Sequence, residues 1–239
     1  MSGIRLASGP VIPHFAQGSH CEQTNGWFCT DWLREHWGDT LQPALVQHVE
    51  LTLIAVGVGF AIAFALALVG FRFRVFDLPL GVLSDFLYTI PSLALFQLLV
   101  AVTGLTVLTV EIALVSYTLF ILYRNFVAGL RAVPPDVLES ARGMGLTRVQ
   151  TFFRVELPLA APAIMAGLRI ATVSTISIAT VAAFFIRDGL GDPIFRAINE
   201  NLFKTEILAA GGLAILLALV ADGLLAAVQR AITPWSRLR

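Results

Sequence analysis

Few residues in this 239-residue chain have the types and spacing that catalysis or metal binding requires. The four histidines, His14, His20, His36 and His48, precede the first long apolar segment, and no Cys/His cluster has zinc spacing. The sequence also lacks a glycine-rich phosphate loop. We therefore expect no catalytic residue, no resident metal ion or cofactor, and no ATP hydrolysis by this chain itself.

The only other obvious chemistry is a pair of cysteines, Cys21 and Cys29, which flank the sequence EQTNGWF. Nearby thiols oxidise in an extracytoplasmic compartment, and closing so short a loop contributes about 2–3 kcal/mol in the chain-entropy model. We therefore predict a disulfide. The sequence after it predicts a short helix at the membrane interface, with the residues Trp32, Leu33, His36 and Trp37.

The composition is that of a membrane protein. Hydrophobic residues make up 57% of the chain and charged residues 13%, whereas soluble domains carry about 25% charged residues. The net charge is zero and no basic stripe is present, so the sequence gives no support for nucleic-acid binding. The first 20 residues lack the basic and apolar regions of a signal peptide, and we expect no cleavage there.

Five apolar segments are long enough to cross a hydrocarbon core as helices. They are Leu51–Phe71, Leu78–Val102, Thr106–Leu130, Ala163–Ile186 and Ile207–Gln229. The prediction is an all-α polytopic protein with about five transmembrane helices. It has an extracytoplasmic segment at residues 1–45, a membrane domain at residues 46–230 and a cytoplasmic tail at residues 231–239.

The distribution of arginine predicts the orientation in the membrane, because cytoplasmic loops carry the excess of positive charge. Arginines follow the first, third and fifth spans, at positions Arg72, Arg74, Arg131, Arg142, Arg148, Arg154, Arg230, Arg237 and Arg239. We therefore place the N-terminus outside and the C-terminus in the cytoplasm.

The loop between spans three and four, residues 134–162, predicts two short cytoplasmic helices. Proline at 134 and 135 favours a helix start, and glycine near Gly145 favours its end. Thr147 would then cap a second helix that stops at Leu157-Pro158. Phe152 and Phe153 give this helix an apolar face, which must pack against another protein, the bilayer surface or the ends of the chain's own spans. From the residues alone, an ordinary interhelical loop remains the alternative.

The same loop resembles the EAA loop of type I ABC importer permeases. The matching residues are Glu139, Ser140, Ala141, Gly145, Val155, Leu157 and Pro158, at the spacing of that pattern. Ser140 and Val155 depart mildly from its Ala and Ile. Tyr88–Phe96, Leu122–Leu130 and Gly189–Ile198 resemble the glycine betaine, choline and carnitine branch of the family.

The resemblance implies a permease subunit that is not an enzyme. It implies docking of the loop on a cytoplasmic ABC ATPase dimer, which would hold ATP and Mg. An extracytoplasmic binding protein and a second permease, identical or related, would complete the assembly in the lipid bilayer. Phe152 and Phe153 would anchor in the ATPase, Gly145 would form the turn, and Glu139 would hold the loop geometry. The implied cargo is a small zwitterionic or quaternary ammonium osmoprotectant, with another amino-acid-like solute as the alternative. The implied location is the plasma (inner) membrane of a bacterium.

Candidates for the translocation path or gate come from spans two and four. Pro91 lies within span two, where Thr89 and Ser92 offer hydroxyls to the interrupted backbone. A hinge and a static kink both fit this pattern. Thr175 belongs to a series of hydroxyl residues in span four, which fits helix packing or a polar pore wall.

Two further features have alternative interpretations. Asp222 lies within span five and favours a structural or interfacial role, whereas an ion-coupled secondary carrier would use it as a proton site. Such carriers usually contain internal repeats, and none is recognisable in five spans. A scaffold that recruits a cytoplasmic partner is a further rival.

The outer turn Gly189–Pro193 would either contact a binding protein or form a solvated loop.

Overall fold

The computed structural model describes residues 20–200 and 202–235, and all regular structure within these ranges is helical. Residues 1–19 and 236–239, which include much of the predicted outer segment and tail, lie outside the described residues. Before the first span, the chain forms α1 (His20–Gln23), α2 (Thr30–Glu35) and a π-helical turn (Trp37–Leu41). The helices that follow are α3 (Gln42–Arg72), α4 (Arg74–Thr89), α5 (Ser92–Thr103), α6 (Val107–Arg131), α7 (Pro135–Gly143), α8 (Arg148–Thr151), a second π-helical turn (Phe152–Glu156), α9 (Leu157–Ala182), α10 (Gly191–Glu200) and α11 (Lys204–Ile232).

The predicted all-α polytopic fold is confirmed. Four continuous helices are long and apolar enough to cross a membrane: Trp37–Arg72, Val107–Arg131, Arg148–Ala182 and Lys204–Ile232. A fifth crossing is available if α4 and α5 together count as one span. The first span begins earlier than predicted, because α3 starts at Gln42, and the domain boundary at residue 45 stays a prediction.

The second span is broken, and the prediction of a single helix with a kink was wrong. The axes of α4 and α5 meet at 98°. Ile90 has an extended backbone with ψ 124°, and Pro91 directly precedes α5 with ψ 136°. Proline disfavours the helical conformation in the residue before it, and here both residues leave the helix. A full corner therefore replaces the kink.

Helix α6 lies at the centre of the packing, between α3, α4 and α9. One apolar cluster surrounds Tyr123 and Phe126, and a second surrounds Phe96 and Leu114. Small residues let these helices approach closely. At Gly129, for example, an added Cβ would lie 3.0 Å from the Ala160 carbonyl oxygen of α9.

Residues 20–41 form an N-terminal cap that rests on the start of α11. Cys21 and Cys29 are joined by a disulfide. The Cys29 N–H donates to Thr205 Oγ1 at 3.1 Å, and that hydroxyl donates to the Gly26 carbonyl at 2.9 Å. The side chain of Asn25 adds a hydrogen bond from the Lys204 N–H, at 3.0 Å. The closed loop therefore holds a continuous set of bonds to the beginning of the last span.

The predicted interfacial helix is only partly at the surface. Trp32 is 6% exposed and packs edge to face on Phe203, with ring centroids 5.3 Å apart. Trp37 is 45% exposed. The interfacial prediction was wrong for Trp32, because Phe203, which precedes α11, offers an apolar site that the local sequence does not reveal.

Candidate coupling loop and candidate solute groove

The loop between α6 and α9 turns at Gly145, whose φ is +80°. The Leu146 N–H donates to the Ala141 carbonyl at 3.2 Å, and the Gly145 N–H donates to the Arg142 carbonyl at 2.9 Å. This pair of bonds is the Schellman arrangement, which ends a helix with a left-handed residue. Glycine suits that position because it has no Cβ. The end of α7 therefore agrees with the sequence pattern.

A capping box starts the second half of the loop. The Thr147 N–H donates to Gln150 Oε1 at 2.9 Å, and the Gln150 N–H donates to Thr147 Oγ1 at 3.4 Å. The cap at Thr147 agrees with the prediction, which did not identify Gln150 as the reciprocal partner. Together the two bonds satisfy backbone donors that a helix start leaves free.

The second helix does not stop at Leu157-Pro158, so the predicted end was wrong. A π-helical turn joins α8 directly to α9, and the helix runs from Arg148 to Ala182. The Leu157 N–H donates to the Phe152 carbonyl, five residues back. Pro158 then lies in the first turn of α9, where a missing N–H is tolerated. The second half of the loop and the fourth span therefore form one continuous helix.

The two phenylalanines of the loop face different surroundings. Phe152 is half-buried and packs against the cluster around Tyr123 and Phe126. The side chain of Phe153 is 60% exposed, that of Val149 is 66% exposed and that of Met144 is 72% exposed. We call Met144, Val149 and Phe153 the coupling surface. Within this chain Phe152 secures the loop to the membrane domain, and its role as an anchor in a partner stays a prediction.

The remaining residues of the loop pattern are distributed around this surface. Ala141 is buried, whereas Val155, Leu157 and Pro158 are half-buried. Ser140 is exposed, and its hydroxyl donates to the Asp136 carbonyl at 2.8 Å. Glu139 is exposed and makes no hydrogen bond or ion pair with another residue in the described ranges. In this structure the Schellman bonds and the capping box hold the loop geometry, and the role of Glu139 in that geometry stays a prediction.

A groove of about 850 Å³ runs between α9 and α11. Its polar side comes from α9, which contributes the hydroxyls of Ser174, Ser177 and Thr180. Its apolar walls come from both helices and include Ile170, Val173, Ile215 and Leu219. The groove is thus a largely apolar channel with a line of hydroxyl groups on one wall.

An ion pair lies in this groove. Arg169 Nε donates to Asp222 Oδ1 and an Arg169 terminal nitrogen donates to Asp222 Oδ2, both at 2.8 Å. The other terminal nitrogen donates to Gln229 Oε1 at 3.4 Å. The arrangement is the two-bond fork that guanidinium and carboxylate favour. Arg169 lies about 18 Å along α9 from Leu157.

Sequence reasoning missed this pairing and three others. A structural role for Asp222 was favoured, but its partner is 53 residues away in sequence, and no local pattern connects two such positions. The other ion pairs in the described part of the chain are Arg124–Asp85, Arg131–Asp77 and Arg196–Glu206. All join different helices, which explains how these charges are accommodated in an apolar protein.

The predicted path residues do not meet at one place. Thr175 is 2% exposed, and its hydroxyl donates to the Ala171 carbonyl at 2.8 Å. The pore-wall interpretation was therefore wrong for Thr175, which faces the packed core rather than the groove. At the break in span two, Thr89 and Pro91 are exposed and Ser92 is half-exposed.

Side chains satisfy the backbone at this break. Thr89 Oγ1 donates to the Phe86 carbonyl at 2.7 Å, in agreement with the role predicted for the flanking hydroxyls. The Ile90 carbonyl accepts from the hydroxyl of Tyr117 on α6. The sequence pattern did not reveal this second contact, because Tyr117 is 27 residues away.

The outer turn after α9 is fixed rather than solvated. His48 Nδ1 accepts from the Leu190 N–H at 3.2 Å, so its Nε2–H donates to the Ile176 carbonyl at 3.1 Å. The Gly189 N–H donates to Gln47 Oε1 at 3.2 Å, and Leu190 is fully buried. The solvated-loop alternative was therefore wrong for Gly189 and Leu190.

Comparisons with known proteins agree with these features. Residues 48–234 match the family "Binding-protein-dependent transport system inner membrane component". The choline transport system permease protein OpuBB of Bacillus subtilis (strain 168) is 36% identical over 189 residues, which cover 79% of this chain and 86% of that protein. The carnitine transport permease protein OpuCD of Listeria monocytogenes is 34% identical over 212 residues, 89% of this chain and 90% of that protein.

A solved structure of the inward-facing MetNI methionine ABC transporter has the same fold, with a TM-score of 0.72 at 17% identity. It covers 84% of this chain and 98% of the compared chain. Such low identity supports the fold alone. The family match spans most of the chain, and together with the permease relatives it supports assignment to a family. The chain belongs to the family of inner-membrane components of binding-protein-dependent transport systems, and is a multi-pass permease subunit of an ABC importer rather than an enzyme.

Proposed function

We propose that this permease imports small quaternary ammonium solutes of the glycine betaine, choline and carnitine class. The observation that carries the proposal is the similarity over most of the chain to permeases named for choline and for carnitine. Another amino-acid-like solute is the alternative within the same family.

The coupling surface is the proposed docking site for a cytoplasmic ABC ATPase dimer, which binds ATP and Mg. Three apolar side chains, Met144, Val149 and Phe153, project from the loop with 60–72% exposure. Exposed apolar clusters of this kind favour burial against a protein partner. The π-helical turn joins this surface to α9 without a flexible linker, so movement of the ATPase is transmitted to the span.

We propose the orientation with the N-terminal cap outside and the coupling loop in the cytoplasm. The disulfide between Cys21 and Cys29 supports an oxidising location for the cap. Arg131, Arg148 and Arg154 lie at the opposite end of the spans, beside the loop. A substrate-binding protein would then approach the cap and the outer turn at Gly189.

A second permease, identical or related, would complete the solute path. Only 6% of the residues in the apolar stretch of α11 are buried within this chain. The groove between α9 and α11 is open along its side. A pair of such subunits facing one another would enclose the groove. The break at Pro91, flanked by Thr89 and Ser92, is proposed as a gate that moves when the spans rearrange.

The ion pair argues against an ion-coupled carrier that uses Asp222 as its proton site. Both carboxylate oxygens accept from Arg169 at 2.8 Å, and a carboxylate held in this way favours its charged form. The family match is likewise to transport systems that depend on a binding protein. An ABC importer uses ATP and an ion-coupled carrier uses an ion gradient, so a measurement of the energy source distinguishes them.

Reconstituted uptake provides the test. The permease is purified with its ATPase and placed in liposomes with the binding protein and radiolabelled choline, glycine betaine or carnitine. We expect uptake that needs ATP, Mg and the binding protein, and that continues when proton and sodium gradients are collapsed. Uptake driven by an ion gradient without ATP would contradict an importer of this class, and uptake of only unrelated amino acids would contradict the proposed solutes.

A further inference from the structure

We propose that Arg169 and Asp222 form a subsite in the groove for zwitterionic solutes, with Arg169 receiving the carboxylate and Asp222 facing the quaternary ammonium group. This inference rests on the proposed function, because it concerns how the same solutes cross the membrane. It assigns a specificity-determining role within the permease to two residues that share one groove.

The carboxylate side follows from the hydrogen-bonding geometry of Arg169. Its guanidinium holds the Asp222 carboxylate through two bonds of 2.8 Å. A solute carboxylate offers the same planar pair of oxygens, so it can replace Asp222 in the fork and restore both hydrogen bonds of Arg169. Asp222 then exchanges its two hydrogen bonds for the charge of the solute's ammonium group. The remaining terminal nitrogen keeps its contact with Gln229 Oε1 at 3.4 Å, which holds the guanidinium in place during the exchange.

The ammonium side follows from the displaced Asp222 and the walls around it. A quaternary ammonium has no N–H group, so it is recognised by charge and by apolar contact with its methyl groups. Asp222 supplies the negative charge, and the walls of the groove supply apolar side chains such as Ile170, Val173, Ile215 and Leu219. A zwitterion therefore presents one partner for each member of the ion pair.

The ion pair is accessible to a solute. The side chains of Arg169 and Asp222 are 34% and 38% exposed, and both line the groove of about 850 Å³. The volume exceeds that of a small osmoprotectant several times over. A pair that served only to fasten α9 to α11 would not need to face this space.

Charge complementarity distinguishes a zwitterion from a segment of a second permease as the occupant. An apolar helix packed against this groove would cover two charged side chains and offer no exchange partner to either, at a cost in desolvation. A zwitterion satisfies both charges while it passes. We therefore assign the space around the ion pair to the solute. The exposed apolar side chains of α11 outside the groove remain available for contact with the second permease.

The test compares two solutes that share an ammonium group and differ in the carboxylate. Uptake of glycine betaine and choline is measured with the reconstituted complex of permease, ATPase and binding protein. The variant Arg169→Gln/Asp222→Asn removes both charges and leaves no unpaired ion. We expect the ratio of glycine betaine to choline uptake to fall about tenfold, as the loss of one charged, two-bond contact implies.

Two further variants keep the test decisive. Arg169→Lys retains the positive charge and the ion pair but lacks the planar fork, so the same ratio should fall even if the neutral variant does not assemble. The matched control, Arg124→Gln/Asp85→Asn, removes an ion pair between α4 and α6 that lies outside the groove. It should leave the ratio within about twofold of the wild type.

The outcomes separate the inference from the proposed function. A ratio unchanged in both groove variants overturns the subsite and leaves the importer assignment intact. An equal change in the groove variants and in the control also overturns it, since the effect would then come from general instability. If the wild-type complex transports neither solute, the proposed solute class fails and the subsite fails with it.

Discussion

The rings of Phe152 and Phe153 meet edge to face with centroids 5.0 Å apart, yet they belong to opposite sides of the coupling loop. Phe152 packs against the membrane domain, and Phe153 is 60% exposed. Adjacent residues of one type thus have different surroundings: Phe152 secures the loop to the permease, and Phe153 is available to the proposed ATPase partner. The following substitutions exploit this separation.

Phe153→Ala should uncouple transport without unfolding the permease. The side chain loses few contacts within the chain because it is exposed, so thermal stability should change by less than about 1 kcal/mol. Its removal from a docked surface should lower affinity for the ATPase by about tenfold or more. Co-purification with the ATPase and ATP-driven uptake in liposomes measure these effects.

Phe152→Ala is the matched control for this experiment. Removing a half-buried ring that packs against the Tyr123 and Phe126 cluster should cost about 2–4 kcal/mol of stability. A lower melting temperature is therefore the expected signature. Equal loss of ATPase binding in both variants, with equal loss of stability, would contradict the division of roles.

Gly145→Val should strain the turn between the two halves of the loop. The φ of +80° is unfavourable for a β-branched residue, although no atom within 4 Å would meet the added Cβ. The cost of about 1–2 kcal/mol is therefore conformational, and we expect normal membrane insertion with reduced ATP-driven uptake. Gly143→Val, at a neighbouring site that also has no atom within 4 Å, is the control and should retain uptake.

Tyr117→Phe should weaken the break in span two. It removes the hydroxyl that donates to the Ile90 carbonyl, and an unsatisfied buried carbonyl costs about 1–3 kcal/mol. A lower melting temperature of the purified permease would show this. Tyr88→Phe removes a hydroxyl that makes no hydrogen bond to another described residue, and it keeps the ring stacked on Phe120 at 4.2 Å. No destabilisation is expected for Tyr88→Phe.

Replacing both cysteines, Cys21→Ser with Cys29→Ser, should loosen the N-terminal cap. Loss of so short a cross-link removes about 2–3 kcal/mol in the chain-entropy model. The hydrogen bonds that Asn25 and Gly26 of the cap accept from Lys204 and Thr205 depend on the closed loop. Amide hydrogen exchange at residues 20–35 should rise sharply, while α6 and α9 remain protected. Unchanged exchange in the cap would argue against a stabilising bridge.

The sequence predicted those features that depend on local patterns. The apolar segments predicted the four continuous spans and the place of the broken fifth candidate. Glycine at 145 indicated the turn, and threonine at 147 indicated the cap. Each depends on residues within a few positions of one another. Features that depend on distant residues were missed: Arg169 meets Asp222 from another helix, and Trp32 is buried by Phe203.

Proline misled the prediction in both directions, because its effect depends on the turn that surrounds it. At Pro91 a kink was expected, and the helix instead ends in a corner of 98°. At Pro158 an end was expected, and the helix continues because a π-helical turn places the proline where its missing N–H is tolerated. Local sequence does not report the hydrogen-bonding register that decides between these outcomes.

The continuity of the helix from Arg148 to Ala182 has a mechanical consequence. Its 35 residues extend for about 52 Å. This one helix begins at the coupling surface and, farther along, carries Arg169 and the hydroxyl groups of the groove. Over that length, a tilt of the helix by a few degrees would displace its far end by several ångströms. An ATPase docked on the coupling surface would therefore act on the groove through one uninterrupted helix, in which the π-helical turn and Pro162 are the places where it can bend.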